Sequence, residues 1–139
     1  MSERSLVVKY EDQRSDITHV SRGLPQGSSL SVVLWQLYIS DIPVDPQSSA
    51  LYMDDTALWR TDTTREMLEK RLQSDLNIIY HWCKNNHILI NTDKTVIMVN
   101  DLNNEITLEI DQQTIHTVPY TRYLGVNIES KKAFEKKFT

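Results

Sequence analysis

The spacing of apolar and polar residues divides this chain into short strands and two helices. Leu6-Val7-Val8-Lys9-Tyr10 reads as a strand and Ser15 to Val20 as its return, with Glu11-Asp12-Gln13 as the turn. Glycine and proline mark Arg22-Gly23-Leu24-Pro25-Gln26-Gly27 as a loop. Leu30, Val33, Leu34, Leu37 and Tyr38 then recur at helical spacing until Asp41-Ile42-Pro43 ends the helix. A polar loop, Pro46 to Ser49, leads to two apolar runs, Ala50–Met53 and Thr56–Trp59, which flank Asp54-Asp55 and predict a hairpin.

Thr63-Thr64-Arg65-Glu66 matches a capping box and predicts the start of a second helix. Its apolar face is Leu68, Leu72, Leu76, Ile79 and Cys83, with Met67 and Trp82 alongside, and Asn85-Asn86-His87 closes it. Ile88–Ile90 and Val96–Val99 read as strands around Asn91-Thr92-Asp93-Lys94. Ile106–Ile110 and Thr114–Val118 predict a further hairpin across Asp111-Gln112-Gln113, and Tyr123–Ile128 a last strand. The expected fold class is α+β: a mostly antiparallel sheet with two helices packed on one face.

Composition narrows the picture. The 139 residues suit one domain, and 40% hydrophobic content supports a modest core. The formal net charge of −4 lacks the basic signature of a nucleic-acid binder. Lys131, Lys132, Lys136 and Lys137 make only the C-terminal end basic, and a solvated tail explains them equally well. One cysteine, Cys83, excludes an internal disulfide framework and fits a reducing compartment. The N-terminus carries no signal-peptide core, and no apolar run nears the roughly 20 residues that span a bilayer. The expectation is an intracellular protein, in nucleus or cytoplasm, with no membrane partner.

Candidate chemistry centres on Tyr52-Met53-Asp54-Asp55. A hairpin tip aims two carboxylates at one region, where they repel unless cations lie between them. Hard divalent ions are held in this way, through one or two carboxylates plus substrate phosphates, as in two-metal phosphoryl and nucleotidyl transfer. The plain alternative is an ordinary Asp-Asp turn. Gly23 to Ser29 opens directly onto a helix N-terminus, whose free N–H groups and dipole receive anions. The plain alternative there is a turn capped by Ser28 or Ser29.

Together these segments form a recognisable set. Gly23–Ser31 (GLPQGSSLS), Tyr38–Pro43 (YISDIP) and Leu51–Ala57 (LYMDDTA) closely resemble reverse transcriptases of non-LTR (LINE-type, jockey-like) retrotransposons. Leu89-Ile90-Asn91 with Lys94-Thr95 resembles that family's L-x-x-N-x-x-K-T segment, and Tyr123-Leu124-Gly125-Val126 its primer grip. The resemblance runs over residues 5 to 130, with the motifs in order. Met53 replaces the family's usual alanine, Val32 a proline, and Trp35-Gln36 a Phe-Asn pair.

The resemblance implies a polymerase palm over residues 1–130, and a basic tail over 131–139 that begins a truncated thumb connection. It implies Asp54 and Asp55 as ligands of Mg²⁺ or Mn²⁺, two ions in the complete enzyme. Gly23, Pro25, Gln26 and Gly27 would shape the wall against incoming nucleotide and template, and Tyr52 and Met53 would pack near the primer terminus or be ordinary strand residues. Lys94 would act on the leaving pyrophosphate, or be a surface lysine in a polar turn. Tyr123, Leu124 and Gly125 would position the primer end, or be ordinary strand and core. The partners implied are an RNA template, a DNA primer and deoxynucleoside triphosphates.

The family's first palm motif carries another metal-binding Asp upstream, and the residues before Gly23 match the hairpin that follows that motif. Asp12 and Asp16 do not fit the missing ligand. The expectation is therefore a palm fragment that is inactive alone and self-associates through exposed palm surfaces. The alternatives are an inactive or domesticated remnant that acts only by binding, and an unrelated α+β module.

Overall fold

The computed structural model describes residues 4–20, 23–25, 27–100 and 105–130. The chain divides into two compact units, Met1–Asp41 and Ile42–Thr139. The lysines of the C-terminal tail and the tail itself lie outside the described residues.

In the first unit, β1 (Arg4–Leu6) pairs with β4 (Thr18–Val20), and β2 (Lys9–Tyr10) with β3 (Gln13–Arg14), all antiparallel. The pairings Leu6↔Thr18 and Lys9↔Arg14 leave Val7-Val8 opposite Ser15-Asp16-Ile17. That extra residue is a bulge, and it splits what the sequence reads as two continuous strands. Ser15 holds the break together: its N–H donates to the Val8 carbonyl at 2.9 Å, and its hydroxyl accepts from the Val8 N–H at 3.0 Å. Helix α1 (Ser29–Ile39) follows, with no fully buried residue.

In the second unit, β5 (Ser49–Tyr52) and β6 (Asp55–Leu58) form a hairpin, and α2 (Arg65–Asn85) follows. The cap of α2 is Thr64, not the expected Thr63: its hydroxyl accepts from the Met67 N–H at 3.3 Å. That places Met67 where a capping box needs Glu or Gln, so Glu66 falls one position short. Thr64→Ala is expected to destabilise the chain by about 1 kcal/mol, read by urea titration, with Thr63→Ala as the neutral comparison.

Leu68, Leu72, Leu76 and Tyr80 present a stripe at helical spacing to a buried cluster of Ile97, Ile106, Leu108, Ile110 and Ile115. Three of that cluster come from β7 (Thr107–Ile110) and β8 (Gln113–His116), an antiparallel hairpin, and two from the segments beside it. Alternation along β7 sends Leu108 and Ile110 inward and leaves Thr107 and Glu109 exposed. Cys83 is buried at the end of α2, and burial pushes its thiol above the ordinary range, which makes it inert.

The expected single sheet is not what the described residues form. They make five separate two-stranded antiparallel pairs, of which the last joins β9 (Tyr120–Tyr123) to β10 (Val126–Glu129). One reason is visible at β7, whose free edge is taken by side chains of α2. The Gln73 amide donates to the Glu109 carbonyl and accepts from its N–H, both at 2.8 Å, and Glu69 accepts from the Thr107 N–H at 3.0 Å. A side-chain amide there stands in for the next strand and closes the edge. Of the two helices expected on one sheet face, α2 lies on the β7–β8 pair, and α1 belongs to the other unit.

Three strand expectations are corrected. Ile88–Ile90 has no strand structure, and Val96–Val99 makes one isolated parallel bridge, Ile97 to Thr117. These residues are apolar because Ile90, Ile97 and Val99 fill the core from a loop. Tyr123–Ile128 is two strand ends rather than one strand, since Leu124-Gly125 is a turn.

Candidate nucleotidyl-transfer site

Tyr52 pairs with Asp55, so the hairpin tip is the two residues Met53-Asp54, and Asp55 opens β6. Asp54 and Asp55 are both exposed. Leu51 and Tyr52, on opposite faces of β5, are 38% and 57% exposed, so neither face of the tip is packed. Met53 has φ +53°, in the left-handed region that bulky residues rarely occupy. A two-residue hairpin turn places its first residue in this region, so the turn itself requires it.

The glycine-rich loop belongs to the first unit. The Gly23 carbonyl accepts from the Arg4 guanidinium, and the Ser31 hydroxyl donates to the Pro25 carbonyl at 2.7 Å. Gly27 has φ +85°, and a Cβ there would meet nothing within 4 Å, so conformation and not crowding selects glycine. Ser28 occupies the cap position of α1, yet its side chain makes no capping bond. The anion-receptive N–H groups of that first turn therefore carry no Ser28 hydroxyl. Gln26 lies outside the described residues.

Lys94 is exposed in a turn that Asn91 builds. The Asn91 side-chain oxygen accepts from the Lys94 N–H at 3.3 Å, and the Asn91 carbonyl accepts from the Thr95 N–H at 3.1 Å and hydroxyl at 2.8 Å. This accounts physically for the spacing N-x-x-K-T: Asn and Thr close the turn and Lys94 projects from it.

Tyr123, Leu124 and Gly125 sit at the β9–β10 turn. Leu124 (φ +49°) and Gly125 (φ +83°) both occupy the left-handed region, as a two-residue hairpin turn of this hand requires. Leu124 is 48% exposed, so it is not a core residue. The Tyr123 hydroxyl is buried without a hydrogen-bond partner among the described residues. Leu124→Asn is expected to raise the unfolding free energy by about 1 kcal/mol, because Asn tolerates this conformation where Leu does not. Urea denaturation reads that gain.

The residues that brace the hairpin escaped the sequence reading. Arg60, Asp45, Ser48 and Asp75 meet at its base. Asp45-Pro46-Gln47-Ser48 has the form of an Asp-initiated turn, which signals a hydrogen-bonded loop but not the arginine that reaches it.

Among the described residues no group of three or more His, Cys, Asp or Glu forms a cation site. None of their helices is long and apolar enough to cross a membrane.

The Asp-Asp hairpin is one of an ordered set of sequence motifs that resembles polymerases that copy nucleic acid. The pattern of the reverse transcriptase (RNA-dependent DNA polymerase) family matches residues 2–128, and the chain belongs to that family. Its relatives are RNA-directed DNA polymerases of non-LTR retrotransposons. The chain is 27% identical to the "RNA-directed DNA polymerase from mobile element jockey" of Drosophila melanogaster, over 100% of this chain and 16% of that protein. It is 24% identical to the "Probable RNA-directed DNA polymerase from transposon BS" of the same species, over 96% of this chain and 16% of the relative. It is 25% identical to the "Retrovirus-related Pol polyprotein from type-1 retrotransposable element R1 2" of Nasonia vitripennis, over 81% of this chain and 30% of that one. The chain thus spans between 16% and 30% of the length of these relatives. No solved structure matches it.

Proposed function

We propose that these residues are the palm segment of an RNA-directed DNA polymerase, with the Asp54–Asp55 hairpin as its metal-binding element. The observation that carries the reading is the exposed Asp-Asp tip inside a chain matched to the family over residues 2–128. Adjacent carboxylates on an open tip are hard oxygen donors with room for water and phosphate, which suits Mg²⁺ or Mn²⁺. When bound, the ions lower the pKa of a primer 3′-hydroxyl and neutralise charge on the triphosphate.

The remaining roles belong to the chain. Asp54 and Asp55 hold the cations and set where phosphate lies. Gly23, Pro25, Gln26 and Gly27 wall the nucleotide and template, with the open α1 N-terminus facing negative charge. Tyr52 and Met53 pack near the primer end, and the Tyr123–Gly125 turn positions it. Lys94 offers an ammonium proton to the leaving pyrophosphate. RNA template, DNA primer and deoxynucleoside triphosphates are the partners. On this reading the segment is silent alone; the second reading is a remnant that acts only by binding.

The test is primer extension on an RNA template with annealed DNA primer, deoxynucleotides and Mg²⁺ or Mn²⁺. It is run with the 139 residues alone and with the longer polymerase that the reading places around them. Extension is expected from the longer protein only. Extension that survives Asp54→Asn overturns the metal-ligand reading, and a longer protein that binds primer-template without extending it supports the remnant.

A further inference from the structure

The Asp54–Asp55 hairpin needs an anchor that its own strands do not supply. β5 and β6 have four residues each, they pair with no third strand among the described residues, and their tip is exposed. An isolated two-stranded hairpin of this size is marginal in water. The anchor sits at the base. Arg60, two residues past β6, directs its Nε to Asp75 Oδ2 on α2 at 2.6 Å. Its Nη1 reaches Asp45 Oδ2 at 3.3 Å and the Ser48 hydroxyl, in the loop that enters β5. The Ser48 hydroxyl donates to Asp45 at 2.7 Å, and the Ser48 carbonyl accepts from the Trp59 N–H at 3.0 Å. One planar guanidinium thus joins both roots of the hairpin to the middle of α2.

Three further facts give the junction weight. The Arg60 and Asp75 side chains are only 23% and 24% exposed, so their pair is shielded from water more than a surface ion pair. A second ion pair of opposite polarity, Asp62 with Arg71 at 3.1 Å, links the same connecting segment one turn earlier on α2 by charge alone, since Asp62 Oδ2 makes no hydrogen bond among the described residues. The Ser48 hydroxyl and the Gln47 N–H hold the Asp45 carboxyl below its ordinary range, with Arg60 adding to the effect, so it meets Arg60 as a full charge.

We propose that Arg60 is a positioning residue that fixes the direction of the Asp54–Asp55 tip relative to α2. The inference takes from the proposed function only that the tip is the working end. The lever is long. About five residues at ~3.3 Å each separate clamp from tip, so a swing of roughly 3° moves the carboxylates by about 1 Å, a misplacement that damages catalysis. α2 is packed on the Ile97–Ile115 cluster, and Arg60 ties the hairpin to that packed helix.

The experiment is residue-resolved amide hydrogen exchange on the 139-residue chain, comparing wild type, Arg60→Gln and Arg60→Lys. In Arg60→Gln the Trp59 amide and those of β5–β6 are expected to exchange about tenfold faster, with the β7–β8 amides unchanged. Arg60→Lys keeps the charge but presents one point donor, and the same acceleration is expected from it. Unchanged hairpin amides, equal acceleration throughout, or full protection in Arg60→Lys each overturn the bridge. A second readout is Mn²⁺ binding by the longer polymerase that carries these residues, followed by paramagnetic broadening, with Asp54→Asn as blank. Affinity is expected to fall about tenfold in Arg60→Gln, the scale of losing an outer support of a metal ligand. Unchanged affinity beside a binding wild type also overturns the proposal. Accelerated hairpin exchange in a wild-type background that binds no Mn²⁺ through Asp54 upholds the positioning role, and the polymerase reading of the tip then falls.

Discussion

Asp54→Asn in the longer polymerase is expected to lower primer extension by more than about a hundredfold, since loss of even an outer support of a metal site costs up to that much. The substitution keeps the side chain's size and one acceptor oxygen but removes the charge that, on the proposed reading, would hold a hard cation. Asp54 is exposed at a turn and supports no packing. Stability should therefore change by no more than about 0.5 kcal/mol, and the loss reads as chemistry rather than unfolding. Asp55→Asn is expected to act in the same direction. Asp12→Asn, also a change in an exposed turn, should leave extension intact. Equal losses in the Asp12 and Asp54 variants would mean that net charge, not the hairpin tip, governs activity.

The second large effect lies in the core. Ile106 is 1% exposed and sits in the cluster that joins α2 to the β7–β8 hairpin. Its N–H donates to the Thr117 hydroxyl at 3.0 Å, and that hydroxyl donates back to the Ile106 carbonyl at 2.8 Å, so the backbone cannot shift freely to fill a void. Ile106→Ala is expected to destabilise the second unit by about 3 kcal/mol through lost transfer energy and a residual cavity. With urea m-values of about 1–3 kcal/mol/M, the midpoint should fall by about 1 M or more. Leu89→Ala makes the comparison: Leu89 is 95% exposed, and its removal should stay within about 0.5 kcal/mol. A midpoint that does not move in Ile106→Ala would relocate the core away from this cluster.

Local physics was legible in the sequence. The i, i+4 run Leu68, Leu72, Leu76 identified the buried stripe of α2, although Tyr80 was missed because its polar tip breaks the apolar pattern. The two runs flanking Asp111-Gln112-Gln113 identified the β7–β8 hairpin, although its turn is only Asp111-Gln112. The apolar runs around Asp54-Asp55 identified the β5–β6 hairpin, with the turn one residue earlier than a simple Asp-Asp tip. Failures came where apolar content had another cause. Ile97 and Val99 are buried from a loop, which composition alone does not separate from a strand. Tyr123–Ile128 is interrupted by a turn that needs left-handed backbone at Leu124, a residue whose type argues against one.

The sequence by itself determined the family, the two helices, the hairpin hydrophobic faces and the Asp54–Asp55 pair, because each rests on spacing between near neighbours or on ordered motifs. Only the tertiary structure decided the rest. It showed that Gln73 and Glu69 close the β7 edge, and that Asn91 shapes the Lys94 turn. It showed that Arg60 reaches Asp45 and Asp75, each 15 residues away along the chain. Such contacts depend on where the backbone brings distant polar side chains, and hydrophobic periodicity carries no information about which polar residues will meet.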